Sequence, residues 1–389
     1  MKIFSKCIFK TLLILLFVIS TTFVFVAHIH ADPTDELDFQ ETYVRGQVLQ
    51  VESQGMHAFD GSKSFTQTLK VKLLEGRQKG KIIMIGYSID GMFGEQQGLH
   101  TGDMAVIDSK PLPPSNQISY SVYEPYRLNN LWFLLAGFIV LVIIVAGKKG
   151  VGAIIGLSIS IATVIFYIIP QILNGQDPLT ICIIGSVVIL FLTTYIAHGV
   201  SVKTSVAVFS TSLSLALAAF IATFSVHATT LFGLGNEDVI NLQLGTPHLI
   251  NSQGLLLGGI LIGTLGALND ITTTQSITIF TLARENPKQH FSHLFQKGMM
   301  IGREHIASLV NTLVLAYAGT SLVIFAFFVL NPAKLPWWVI LNNETTMEEI
   351  MRTLIGSTAL ILAVPITTVI ASFIAFNWAY ILGTIKANL

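Results

Sequence analysis

A single acidic residue, Asp270, lies inside a stretch from Gly254 to Ala283 that carries no other charge. Ionised carboxylates are costly in hydrocarbon, so those within apolar segments usually face a cavity or a partner. A carboxylate that exchanges a proton or a cation there would couple the movement of a solute to a gradient. Two structural alternatives stay open, because Asp270 could also cap a second helix starting near Ile271 or form a structural salt bridge.

Glycines precede Asp270 at helical spacing. Gly259, Gly263, Gly266 and Asp270 lie within about 60° of one another at 100° per residue. Such a strip lets a neighbouring backbone approach closely, and helix packing alone would account for the glycines. The sequence therefore predicts a helix-packing strip of Gly259, Gly263 and Gly266 that ends at a carboxylate.

A second polar group begins at Arg303, which is a natural partner for Asp270. Glu304, Ser308 and Asn311 share one helix face, and a negative charge at Glu304 suits a helix N-terminus. The alternative is an interfacial anchor, in which Arg303 extends to the lipid headgroups. The polar pathway predicted from these groups comprises Asn269, Asp270, Thr273, Gln275, Arg303, Glu304, His305 and Asn311.

The composition places these residues in a membrane protein. The chain of 389 residues is 52% hydrophobic and 11% charged, whereas soluble domains carry about 25% charged residues. A water-soluble enzyme of this size is excluded, because it could not cover its surface with polar groups. Lysine plus arginine equals aspartate plus glutamate, at 22 each, so no bulk charge favours a nucleic-acid partner.

Cofactor and metal chemistry has no sequence support. The chain lacks a Gly-x-x-x-x-Gly-Lys-Ser/Thr loop and a His-Glu-x-x-His motif. Its two cysteines, Cys7 and Cys182, both lie in apolar runs, which argues against a cysteine-based zinc site. We therefore expect no enzymatic activity, no cofactor and no metal.

Three regions follow one another along the chain. Residues 1–31 combine three lysines with an apolar run, which predicts a signal-anchor helix or a cleaved secretory signal. Residues 32–127 alternate polar and apolar positions between glycine turns, which predicts a small β-rich domain, with an OB-like barrel as the first expectation. Residues 128–389 form the predicted transmembrane domain.

Seven stretches of residues 128–389 are apolar and long enough to cross about 30 Å of hydrocarbon. Eleven lysines and arginines flank one side of these spans, and only Lys334 and Arg352 flank the other. Since positive flanks stay in the cytoplasm, residues 32–127 are expected outside and the C-terminus inside the cell. The predicted spans are 130–147, 151–169, 179–197, 204–226, 253–270, 305–330 and 353–381.

Four segments resemble the YibE/F-like family of bacterial multipass membrane proteins. They are GTLGALNDI at 263–271, ENP at 285–287, IGREHI at 301–306 and NTLVLAYAG at 311–319. The resemblance covers about residues 128–385, and Glu304 stands where many members carry aspartate, which keeps the charge. It implies a polytopic α-helical protein of the permease type, without a defined substrate.

Two functions are compatible with these observations. The first is a secondary transporter or permease in the cell membrane, with a polar cytoplasmic-side pathway centred on Asp270. The second is a non-transporting scaffold or assembly partner that acts through the external β-rich domain. The expected partners are the lipid bilayer, a small solute or ion, and a second copy or a sister membrane subunit.

Overall fold

The computed structural model describes residues 42–59, 62–76, 78–90, 94–112, 117–286 and 289–387. The chain divides into two compact units, residues 1–141 and 142–389. The predicted signal or anchor helix at 1–31 lies outside the described residues.

The first unit contains one antiparallel sheet with the strand order β3-β2-β1-β4-β5. Val48, Leu69, Val71 and Ile107 are at most 1% exposed, because alternate residues of each strand point to the same side. The edge strands β3 and β5 also contact each other, so the sheet curls as a partly open barrel does. The OB-like barrel itself stays a prediction. The strands are β1 Thr42–Phe59, β2 Ser62–Leu73, β3 Ile82–Asp90, β4 Met104–Leu112 and β5 Gln117–Pro125.

The alternating pattern located four of these five strands. The strand β5 was not predicted, although Ile118, Tyr120 and Val122 alternate there with polar residues. Tyr120 and Val122 are only partly exposed, and Val122 packs against the buried side of the sheet. The signal was therefore present but weak, since β5 is an edge strand with one polar face.

Helices follow the sheet. They are α1 Leu128–Thr163, a π-helical turn Val164–Ile168, α2 Ile169–Leu173, α3 Pro178–His198, α4 Val202–Ala228, α5 Glu237–Gly245, α6 Ser252–Glu285, α7 Phe291–Thr320, α8 Leu322–Leu330, α9 Trp337–Leu341 and α10 Glu344–Ala387.

Local sequence determines where three of the long helices begin. Asp177, Ser201 and Asn251 precede α3, α4 and α6, and each side chain accepts a hydrogen bond from a backbone N–H of the first turn. Such caps satisfy amide groups that have no partner within the helix. Pro178 occupies the first turn of α3, where a missing amide donor costs nothing.

Within the described residues, five helical stretches are long and apolar enough to cross a membrane. The pair α7 and α8, which is bent by 68°, adds a sixth if the two helices count as one span. The predicted span at 305–330 is therefore not one straight helix, and it begins earlier, at Phe291. The five stretches are Leu128–Leu173, Pro178–His198, Val202–Ala228, Ser252–Glu285 and Glu344–Asn377.

The predicted spans 130–147 and 151–169 belong to one helical run that is interrupted at Gly147. This glycine has a non-helical backbone, with φ 58° and ψ −134°. A Cβ built on Gly150 would lie 2.5 Å from the carbonyl oxygen of Val142. Residues eight apart in a straight helix are separated by about 12 Å along the axis, so the chain bends sharply at Gly147.

The predicted span 253–270 is too short, because α6 continues without interruption to Glu285. Asp270 therefore lies in the middle of a helix and does not cap a second one.

Helices α4, α6 and α10 form the centre of the second unit, and α3 packs on α6 beside them. Ala218, Leu261, Leu268 and Leu360 are completely buried between these helices. The packing orients α6, the helix that carries Asp270 and the predicted glycine strip.

Candidate functional site

Helix α6 has two unlike faces. Ile260, Leu261 and Leu268 are fully buried against α4 and α10. Gly259, Gly263, Gly266 and Asp270, which we call the glycine strip, are all exposed on the other face. A helix face that contacts lipid normally carries large apolar side chains, and this one carries none. The strip is a smooth band of backbone that ends in a carboxylate.

No described helix backbone packs closely on the glycine strip. A Cβ built on Gly259 would lie 3.5 Å from Nη1 of Arg352, and one on Gly263 would lie 3.5 Å from the hydroxyl of Tyr317. A Cβ on Gly266 would have no atom of another residue within 4 Å. None of the described helices packs its backbone against these glycines. Their predicted role in helix packing therefore stays a prediction.

Other glycines allow the close helix contacts. A Cβ at Gly258 would lie 2.5 Å from Sγ of Cys182 in α3, and one at Gly302 would lie 2.4 Å from Val364 in α10. A Cβ at Gly298 would lie 2.1 Å from Cδ1 of Ile279 in α6. The sequence contains these glycines, but it does not show which direction each one faces.

Arg352, Glu349 and Tyr317 lie at the Gly259 end of the strip. Nε of Arg352 is 3.4 Å from Oε2 of Glu349, one turn earlier on α10, and the two side chains are 31% and 23% exposed. Tyr317 and Glu349 also line a cavity of about 160 Å³ between α7, α8 and α10. Sequence reasoning assigned Arg352 to an outer loop and missed this cluster, whose signal was an acid–base pair at i, i+3 before an apolar run.

Asn269 and Asp270 lie at the opposite end of the strip. Oγ1 of Thr194 donates a 2.7 Å hydrogen bond to Oδ1 of Asn269, which joins α3 to α6. Asp270 is exposed, and no group in the described part of the chain hydrogen-bonds or ion-pairs with it. The structural salt bridge considered for Asp270 is therefore not formed by these residues.

Residues at the start of the predicted sixth span do not join Asp270. Arg303, Glu304 and Asn311 are exposed on α7, and His305 is partly covered. The predicted pairing of Arg303 with Asp270 does not occur, because the two lie on different helices that do not bring them within ion-pair distance. Spacing within one helix cannot show how the next helix is rotated.

Two further predicted residues lie in the packed core. Gln275 is completely buried, and its Nε2 donates to the carbonyl oxygen of Gly298 and to Oγ1 of Thr368, both at 2.8 Å. This amide links α6 to α7 and α10. Thr273 is 4% exposed, and its hydroxyl has no hydrogen-bond partner among the residues that the structure describes. Both residues lie on faces of α6 other than the glycine strip.

A groove of about 540 Å³ lies beside the strip, between α1, α3 and α6. Gly266 and Asn269 line it from α6, and His198 lines it from the end of α3. The structure thus brings together Gly266, Asn269 and His198, a residue that sequence reasoning did not select.

Comparison with known proteins gives the family. The family model described as YibE/F-like protein matches residues 134–377, which is more than half of the chain. No curated protein and no solved structure matches the chain. The matched range includes the glycine strip, the Arg352 cluster and the groove, and its apolar helices fit a multipass membrane protein. The chain belongs to the YibE/F-like family.

Proposed function

We propose that this protein is a membrane permease, a secondary transporter in which the glycine strip forms one wall of a pathway for a small solute or ion. A single observation carries the proposal. One stripe of α6 is uncovered and has no large apolar side chain, and ionisable groups lie at both ends, Arg352 with Glu349 at one and Asp270 at the other.

Energetics disfavour a strip that faces lipid. An ionised aspartate within the hydrocarbon is costly, up to about 2.5–3.5 kcal/mol at the centre of a membrane helix on insertion scales. An uncovered Asp270 is therefore better accommodated by water or by a polar solute. The eleven residue-to-residue steps from Gly259 to Asp270 extend about 16 Å, roughly half of the 30 Å hydrocarbon thickness. The strip is long enough to form a substantial part of a pathway.

The proposal includes a specific membrane topology. The bend at Gly147 divides the first helical run into parts of about 28 Å and 39 Å, and each can cross the bilayer. With α7 and α8 as one broken span, the transmembrane domain crosses seven times. The distribution of lysine and arginine then places the β-sheet outside the cell and the C-terminus in the cytoplasm.

Transport in vesicles tests the pathway. The full chain is reconstituted with a pH-sensitive dye inside and challenged with a panel of inorganic ions and small organic solutes. The Asp270→Asn variant keeps the side-chain volume and removes the charge, so proton-coupled or cation-coupled flux should fall by about tenfold or more, since charged interactions contribute about 1.5–3 kcal/mol. Insertion and thermal unfolding should stay unchanged.

Asp238→Asn is the matched control, because Asp238 is an exposed acid of α5 outside the strip. Its flux should equal that of the native chain. Native flux in Asp270→Asn would contradict the pathway.

The same uncovered strip supports a second candidate function. Small residues at this spacing also dock a helix from another chain, and an assembly partner would use the strip and the external sheet for that purpose. A cysteine at Gly266, in a chain whose own cysteines are replaced by serine, separates the two functions. Rapid reaction with a water-soluble thiol reagent supports the pathway, whereas an efficient disulfide between two copies supports the scaffold.

A further inference from the structure

The groove between α1, α3 and α6 is apolar along most of its length. Leu157, Ile161 and Ile165 line it from α1 and the π-helical turn, and all three are exposed. Its volume of about 540 Å³ is within the range of about 300–1,000 Å³ that is typical of ligand sites. An uncovered apolar groove inside a membrane domain accommodates a hydrocarbon chain.

Two polar groups of the groove are already engaged. Oγ of Ser160 donates to the carbonyl oxygen of Gly156 at 3.0 Å. Oδ1 of Asn269 accepts from Oγ1 of Thr194. The ionisable side chain of the lining is His198, at one end of the groove.

That end is surrounded by cations. A Cβ built on Gly152 would lie 3.2 Å from Cα of Ala197, so the part of α1 that follows Lys149 packs directly beside the end of α3 that carries His198. Lys203 follows His198 by five residues across a short loop. Lys149, Lys203 and Asp270 also act electrostatically on the His198 imidazole. Both lysines are exposed, and neither forms an ion pair with a carboxylate of the described residues. Two lysines against one aspartate leave a net positive charge at the polar end.

We propose that this groove is a binding site for an anionic phospholipid, with one acyl chain along Leu157, Ile161 and Ile165 and the phosphate at Lys149 and Lys203. Basic pockets between membrane helices recognise lipid headgroups in this way. An apolar groove that ends at ammonium groups fits a lipid with an acyl chain and one anionic headgroup. The site does not depend on the transport proposal.

Lipid titration of the purified full chain in detergent tests the site. Bound lipid is counted by native mass spectrometry for phosphatidylglycerol and for phosphatidylcholine with identical acyl chains. Glycerol phosphate serves as the soluble headgroup. We expect phosphatidylglycerol to bind at least about fivefold more tightly than phosphatidylcholine, since each lysine near a charged headgroup contributes about that factor.

Two variants locate the binding. Lys149→Gln combined with Lys203→Gln should remove the preference for phosphatidylglycerol, because it weakens binding of the anionic lipid more than binding of phosphatidylcholine, whose choline cation already offsets its phosphate. Gly266→Leu should weaken binding of both lipids, because the open space at Gly266 takes a larger side chain and the groove is then filled. Gly319→Leu is the matched control, since Gly319 also faces open space but lies on α7 outside the groove.

Three results would overturn the inference. They are equal binding of the two lipids by the native chain, a preference that survives the double lysine substitution, and binding of glycerol phosphate as tight as that of the lipid. The last would identify the occupant as a soluble anion. A thermal unfolding curve without added lipid verifies that each variant is folded, so the lysine variant tests the site even if Gly266→Leu does not fold.

Discussion

The guanidinium of Arg352 lies against the bare backbone of Gly259, with Nη1 3.5 Å from the position that a Cβ would occupy. The arginine belongs to α10 and the glycine to α6, so the contact joins two helices that are far apart in the sequence. Oε2 of Glu349 lies 3.4 Å from Nε of the same guanidinium. An arginine is thereby held at one end of the glycine strip.

The size of the side chain at position 259 should determine where the guanidinium of Arg352 lies. Gly259→Leu would displace the guanidinium, and the initial rate of solute flux should fall by about tenfold, which corresponds to one charged hydrogen bond. Gly259→Ala should keep the native rate, since 3.5 Å is an ordinary contact. Equal rates for the leucine variant and the native chain, measured in the vesicle assay, would remove Arg352 from the pathway.

Two alanine substitutions on α6 should have opposite effects on stability. Gly266→Ala meets no neighbour and should raise the free energy of unfolding by about 0.5–1 kcal/mol, because alanine loses less entropy in a helix. Gly258→Ala would place a Cβ 2.5 Å from Sγ of Cys182 and should lower it by about 1–3 kcal/mol. Thermal unfolding in one detergent measures both, and shifts of the same sign would contradict the assigned faces.

The buried amide of Gln275 should stabilise the junction of α6, α7 and α10. Gln275→Met removes two hydrogen bonds but also an acceptor, Oε1, that has no partner among the described residues, so it should lower the free energy of unfolding by only about 1–2 kcal/mol. Gln275→Glu places a carboxylate oxygen against the carbonyl oxygen of Gly298 and Oγ1 of Thr368, which both accept hydrogen bonds in the native chain. It should lower the free energy of unfolding by about 3–5 kcal/mol. Midpoints of thermal unfolding should follow the order Gln, Met, Glu, and any other order would contradict a structural role.

The loop between α4 and α5 is held by the start of α10. Oε1 of Glu344 accepts from the backbone N–H groups of Phe232, at 2.8 Å, and Leu234, at 3.2 Å. Glu344→Ala removes both bonds, so hydrogen exchange at residues 231–235 should accelerate severalfold. Glu285→Ala, at the far end of α6, is the control and should leave this segment unchanged. Unchanged exchange in Glu344→Ala would show that the two bonds do not hold the loop.

Acid should weaken the antiparallel sheet of the first unit through Glu75. Its hydrogen bonds with the Arg45 guanidinium hold the pKa of this carboxyl below its ordinary value. A depressed pKa contributes stability at neutral pH that is lost as the pH falls through the folded-state pKa. Hydrogen exchange of β1 and β2 should therefore be slower in the native chain than in Glu75→Gln at pH 7.

Equal exchange of the two chains is expected at pH values below the folded-state pKa of Glu75. Glu52→Gln, which changes an exposed carboxylate of β1, is the control and should match the native chain throughout. A difference between native and Glu75→Gln chains that persists in strong acid would show that the carboxylate acts through packing and not through its charge.

Helix and strand locations were largely predictable from the sequence. Spans are set by the length of an apolar run, and strands by alternation, and both properties are local. The exceptions occurred where packing against other helices determines the extent of a helix. Helix α6 continues past Asp270 because α4 and α10 bury Ile271 and Ile279 beyond it. The bend between α7 and α8 at Ser321 has no comparable sequence signal.

By itself the sequence determined that the protein is a helical membrane protein of the YibE/F-like family, and that Gly259, Gly263, Gly266 and Asp270 share one face of a helix. These conclusions depend on composition, periodicity and motif, which need no knowledge of neighbouring helices. The tertiary structure decided that this face is uncovered, that Arg352 rather than Arg303 lies beside it, and that Gln275 is structural. Rotation of one helix against another is set by packing across the whole bundle, and no single segment encodes it.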